Sequence, residues 1–196
     1  MNSLTALLNK YSSDKGTVDT WNDNPNEIFR NKRLMHGYSI IYDEILQDYK
    51  NKNNLILEIG CVGDTPLSSL KAWKEYFVNS KIVGFDLNGD KIIGQGFDIN
   101  TGSQESISDL YDLVNKYKSF DIIIDDGSHF HKHQIGNFLF LIHFLNKGGI
   151  YIIEDVNVSP ETYSFFSENV SKFINESKSV GQIRFHKSGL IIINKF

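Results

Sequence analysis

The chain is poor in cysteine: Cys61 is the only one among 196 residues, so no internal disulfide and no thiolate zinc cluster can form. It also lacks a basic excess. A net charge of −4 argues against a dedicated nucleic-acid binder, and no nucleic acid is expected as a partner. No stretch approaches about 18 consecutive apolar residues, so no membrane span is expected. The start, "MNSLTALLNKYSSDKG", has neither the basic residues nor the apolar run of a signal peptide. Internal repeats and low-complexity segments are missing too. These absences leave a soluble, cytoplasmic domain as the expectation.

What is present suits a packed core. Hydrophobic residues make up 40% and charged residues 22%, near globular averages, and fourteen Phe and nine Tyr supply large side chains. The length suits one domain, 1–196, with 1–50 as an N-terminal helical and lid segment. Within that segment "SLTALLNKY" is helix-like with Ser3 as its N-cap, and "GYSIIYDEILQDYK" has apolar residues at helical spacing. Between them, residues 17–33 are polar and turn-rich and read as a loop or lid.

From residue 54 the pattern alternates. Short apolar runs at 54–60, 81–87, 91–97, 120–126 and 148–156 predict buried parallel strands. Amphipathic stretches at 68–78, 106–117 and 133–146 predict the helices between them. A further helix precedes "GQIRFHK" and "GLIIINKF", which a Ser-Gly turn joins as a hairpin. The predicted fold is α/β: a doubly wound, Rossmann-like, mostly parallel sheet with a C-terminal antiparallel hairpin strand.

Such sheets bind ligands at the carboxyl ends of their strands. Each of the five predicted parallel strands carries carboxylates there: Glu58, Asp86, Asp98, Asp125-Asp126 and Glu154-Asp155. "LEIGCVGDTP" places Gly60 and Gly63 between a strand and a helix, where glycine lets backbone approach a ligand closely. The full G-x-G-x-x-G of a dinucleotide fold is absent. Asp86 stands where nucleotide-binding sheets hydrogen-bond ribose hydroxyls. A role for Asp126 as cap of the following helix, and for Glu154 and Asp155 as solvated loop carboxylates, is the alternative reading of these residues.

An acidic residue ahead of the glycine loop and another ending the second strand resemble class I S-adenosylmethionine-dependent methyltransferases. "YSSDKGT", "HGYSIIYDEIL", "LEIG", "SLKAWKEYF", "FDIIIDDGSH" and "GGIYIIEDV" occur in the order seen in a narrower family. That family comprises the macrocin and mycinamicin sugar O-methyltransferases and related cephalosporin-hydroxylase-like proteins. The resemblance covers nearly the whole chain and implies the seven-stranded methyltransferase fold. It implies Mg2+ held by Asp126, Glu154 and Asp155, with His129 as general base. It also implies that Lys15 pairs with the cofactor's carboxylate and that His36, Tyr38 and Tyr42 line the site.

The cofactor set expected for S-adenosylmethionine is thus Lys15, His36, Tyr38, Glu58, Gly60, Gly63, Asp86, Asp98 and Asp125. The expected catalytic pair is His129 and Asp126. A hard divalent ion takes oxygen ligands and lowers the pKa of a hydroxyl, and imidazole accepts the proton. The expected partner is a sugar-containing acceptor, in a chain that could form a homo-oligomer. Val62 departs from the glycine-rich family loop and stands close to the expected cofactor position. His131 and His133 are expected to be surface bystanders, His143 follows the apolar periodicity and is expected at the core or its edge, and His186, in the terminal hairpin, has no partner that the sequence suggests. A nicotinamide-dependent oxidoreductase and a non-catalytic binding subunit are the alternative readings.

Overall fold

The computed structural model describes residues 2–17, 36–63, 65, 67–156, 159–177 and 180–196, with backbone only at 163, 174–177, 180 and 181. The expected lid at 17–33 lies outside the described residues, apart from Thr17.

Two short helices come first, α1 (Leu4–Lys10) and α2 (Ser39–Ile45). Ser3 caps α1 as its sequence suggests, accepting a hydrogen bond from the Ala6 N–H at 3.1 Å. Then follow β1 (Leu55–Ile59), α3 (Ser68–Tyr76), β2 (Lys81–Asp86), β3 (Asp98–Thr101), α4 (Ile107–Tyr117) and β4 (Phe120–Asp125). After them come α5 (His131–Leu141), β5 (Leu145–Ile153), α6 (Pro160–Ser177), β6 (Val180–His186) and β7 (Leu190–Lys195). The strands form one seven-stranded sheet in the order β3-β2-β1-β4-β5-β7-β6. The first five are parallel to their neighbours; β7 runs antiparallel to β5 and to β6.

Side-chain alternation along the strands builds a core on each face. Ile122 and Ile124 of β4 pack with Ile56, Ile152 and the helices α1 to α3. Ile123 points the other way, with Leu57, Tyr151, Leu113 of α4, Phe138 of α5 and Phe166 of α6. A strand covered on both faces is apolar at every position, which is why these runs read as continuous rather than alternating.

One strand was misplaced by the sequence pattern. The run 91–97 is not extended: a 3-10 turn spans Gly89–Ile92, and Gly94 and Gly96 both sit at φ +86°. Two residues in that left-handed region turn the chain, so β3 begins at Asp98 instead of ending there. Strand β5 likewise starts at Leu145, three residues earlier than expected, because the predicted helix 133–146 gives way to a 3-10 turn at Ile142–Phe144.

Candidate active site

The carboxyl ends of β1 to β4 open onto a cavity of about 340 Å³, within the range usual for small-molecule sites. Its walls come from Ile59, Gly60, Val62 and Gly63 after β1, from Phe85, Asp86 and Leu87 at the end of β2, and from Gly102 to Glu105 after β3. Asp126 to His129 after β4, Asp155 after β5 and Asp14 complete it.

The glycine loop fits a close backbone approach. A Cβ at Gly60 would lie 1.9 Å from the Asp126 carbonyl oxygen, and φ is +84°. Gly63 would meet nothing within 4 Å, so the loop leaves open space there. Asp86 anchors the loop, accepting from the Val62 N–H at 2.9 Å and the Asn88 N–H at 2.8 Å. A carboxylate has about four acceptor sites, so two backbone donors leave it capacity for ligand hydroxyls.

Asp126, His129 and Asp155 converge at one end of the cavity, each offering a ligand atom within 4.8 Å of the others. His129 and Asp155 have non-glycine backbone at φ +58° and +52°. Such conformations persist where the surroundings over-determine them, commonly at functional sites. Asp155 is firmly held: its Oδ1 accepts from the Tyr38 hydroxyl at 2.6 Å and the His36 Nδ1 at 2.9 Å. Burial would raise its pKa, but these partners and the nearby His129 bring it down to about 2. Its other oxygen lies 3.7 Å from His129 Nε2. The His129 side chain is 44% exposed, accessible to an incoming substrate.

Behind this triplet lies a buried charge cluster. Lys15 Nζ bonds Asp126 Oδ2, lies 3.0 Å from Glu154 Oε2 and 3.6 Å from Glu58 Oε1. Tyr42 donates to Glu154 Oε1 at 2.5 Å, and Ser69 and Trp73 donate to Glu58 Oε2 at 2.8 and 2.9 Å. Burial alone would lower Lys15, but Asp126, Glu154 and Glu58 outweigh it and hold the ammonium well above its usual range. Burial raises Glu58 to about 7, and Glu154 is likewise pushed well up.

These positions refine the expectations residue by residue. Gly60, Gly63, Asp86, Asp126, His129 and Asp155 all line the cavity. His36 and Tyr38 reach the site through Asp155, whereas Lys15, Glu58 and Glu154 form the inner cluster and are not among its lining residues.

Asp125 departs from its expected place on the cofactor side: it lies on the opposite sheet face, fully buried, accepting from Asn137 at 3.0 Å. The one-residue step from Asp126 reverses its direction. Asp98 is also removed from the cavity edge, because it opens β3; there it pairs with Lys81 at 2.7 Å and Lys116 at 3.2 Å.

Gln104 escaped the sequence reading. Its side chain accepts from the Ser128 N–H at 2.7 Å and ties the β3–α4 loop to the β4–α5 loop across the cavity. Only its place after the third strand could have signalled it. The bystander histidines lie outside the triplet: His131 contacts Thr162, and His133 contacts Ser128 and Glu105.

No family model matches the chain. Among curated proteins it is similar to mycinamicin VI 2''-O-methyltransferase of Micromonospora griseorubida, 35% identical over 129 residues, which are 63% of this chain and 32% of the relative. Demethylmacrocin O-methyltransferase of Streptomyces fradiae is 35% identical over 128 residues, 62% of this chain and 32% of the relative. A tetracenomycin-C rhamnosyl 2'-O-methyltransferase of Streptomyces olivaceus is 33% identical over 131 residues, 64% of this chain and 34% of the relative. The chain thus spans about a third of the length of the curated relatives it matches. Among solved structures it is similar to MycE methyltransferase from the mycinamycin biosynthetic pathway, in complex with Mg, SAH and mycinamycin VI. That likeness has a TM-score of 0.77 and 23% identity, and covers 99% of this chain and 54% of that one. An O-methyltransferase from Bacillus cereus in complex with SAH matches with a TM-score of 0.55 and 13% identity, over 100% of this chain and 92% of that one. The resemblance to the macrocin and mycinamicin enzymes is upheld, and the fold is that of the class I methyltransferases.

Proposed function

We propose that this chain is an S-adenosylmethionine-dependent, Mg2+-dependent O-methyltransferase acting on a sugar hydroxyl. The observation that carries the reading is one cavity in which the glycine loop, Asp86 and the Asp126–His129–Asp155 triplet all face the same space. The relatives named as sugar O-methyltransferases support it, as does the neighbour in complex with Mg, SAH and a mycinamycin.

Gly63 leaves room for the cofactor against the loop, Gly60 lets that loop pack on the Asp126 backbone, and Asp86 is placed to receive ribose hydroxyls. The sulfonium supplies an activated methyl group, so positioning and proton removal are what remain for the protein. Asp126 and Asp155 face the cavity and would hold the cation, with Glu154 behind them, since carboxylate oxygens suit a hard divalent ion. A divalent cation held there would lower the pKa of a neighbouring hydroxyl. His129 takes the proton of the acceptor hydroxyl as its oxygen attacks the methyl carbon and the carbon–sulfur bond breaks. Asp155, 3.7 Å away, stabilises the imidazolium that forms.

The test is a His129→Ala variant titrated with S-adenosylhomocysteine and assayed for transfer. Affinity is expected within threefold of wild type while the transfer rate falls by at least a hundredfold. Undiminished transfer would remove His129 from its role.

A further inference from the structure

The carboxylates at the strand ends form two groups, and one buried ammonium joins them. Lys15 is 2% exposed, and Asp126, Glu154 and Glu58 are the carboxylates within 4 Å of its Nζ among the described residues. Glu58 does not line the cavity: Ser69 and Trp73 donate to its Oε2, and its Oε1, without a hydrogen-bond partner among the described residues, lies 3.6 Å from Lys15 Nζ. Asp126 belongs to both groups: it bonds Lys15 and also faces the cavity with Asp155. The ammonium comes from the loop after α1, close to the Asp14 that lines the cavity.

We propose that Lys15 is a positioning residue that acts as a fixed monovalent cation, drawing on Asp126, which it shares with the divalent ion, and on Glu154 behind it, and thereby holding the ion's affinity down. The inference rests on the cation-dependent reading above and adds to it a residue that sets how strongly the ion binds. The physical reason is competition for the same negative charge. Like charges a few ångströms apart in a poorly solvated site repel strongly, and the bond Lys15 makes to Asp126 Oδ2 neutralises part of the charge the divalent ion would draw on. Glu58 acts on the opposite side of the balance. By drawing on the ammonium's charge from behind, it leaves more of Asp126 and Glu154 available.

A lysine that merely holds the loops together and one that competes with the ion differ in the sign of a single measurement. Mn2+ affinity is measured by electron paramagnetic resonance on wild type, Lys15→Met and Glu58→Gln, with S-adenosylhomocysteine titration as a check on folding. Lys15→Met is expected to bind Mn2+ at least tenfold more tightly than wild type. Unchanged or weaker binding in a folded Lys15→Met chain overturns the proposal. Glu58→Gln keeps shape and removes only charge, and serves where Lys15→Met does not fold. It is expected to weaken Mn2+ binding at least threefold, and wild-type affinity in this variant also overturns the proposal. A wild-type chain that binds no Mn2+ while binding S-adenosylhomocysteine overturns the cation-dependent reading itself, and this inference with it.

Discussion

Gly60 shows how tightly the site is specified at the level of single residues. Its φ of +84° is costly for any other residue, and a Cβ there would meet backbone of the β4–α5 turn at 1.9 Å. Gly60→Ala is therefore expected to cost more than about 2 kcal/mol in chemical denaturation, because backbone on both sides must move. The acidic residues make a contrasting pair. Asp86→Asn is expected to weaken S-adenosylhomocysteine binding at least tenfold, since Asp86 lines the cavity. Asp98→Asn should leave that affinity unchanged and cost less than about 1 kcal/mol, because its partners Lys81 and Lys116 are more than half exposed. Burial would raise the Asp98 carboxyl, but Lys81, Tyr117 and Lys116 outweigh it and hold the group below its usual range. That small contribution is present above the unfolded pKa and is lost as pH falls through the lowered one, so wild type and variant should converge in acid. In the sequence Asp86 and Asp98 both end predicted strands and join the cofactor set, and Asp125 and Asp126 stand side by side at the end of another. Only the start of β3 and the alternation of β4 separate them, and neither shows in composition.

The elements were legible where periodicity was long. Helix α4 carries its own signals: Ser106 accepts from the Asp109 N–H at 3.2 Å, and Leu110, Leu113 and Val114 form its buried stripe. Ser106→Ala is expected to cost about 1 kcal/mol of stability by thermal unfolding. Strands β1, β2 and β4 were equally plain, since each is an apolar run between turn residues. The stretch from 89 to 101 was not, because glycines inside an apolar run suit a weak strand and a turn alike. The contacts across the cavity were also hidden. Gln104 meets Ser128 through loops 24 residues apart in the chain, and nothing local in either loop announces the other. The same holds for Lys15, whose carboxylate partners come from β1 and from the residues just after β4 and β5.

For the whole molecule, the doubly wound sheet brings four strand ends and the Asp155 turn to one edge, where the glycine loop and the Asp126–His129–Asp155 triplet share a cavity. A ligand filling that cavity stabilises the folded state by mass action. At about one hundred times its dissociation constant, S-adenosylhomocysteine contributes about 2.7 kcal/mol. A chain of this size gains about 2–4 °C per kcal/mol, so its melting temperature should rise by about 5–11 °C. The most direct measurement of the central claim is methyl transfer from isotopically labelled S-adenosylmethionine to a panel of glycosylated acceptors, read by mass spectrometry with Mg2+ or with a chelator. A labelled methyl group on a sugar hydroxyl is expected with Mg2+, lost with the chelator and regained when the ion is restored. Equal transfer with and without the ion, or label that never reaches a sugar oxygen, would contradict the assignment.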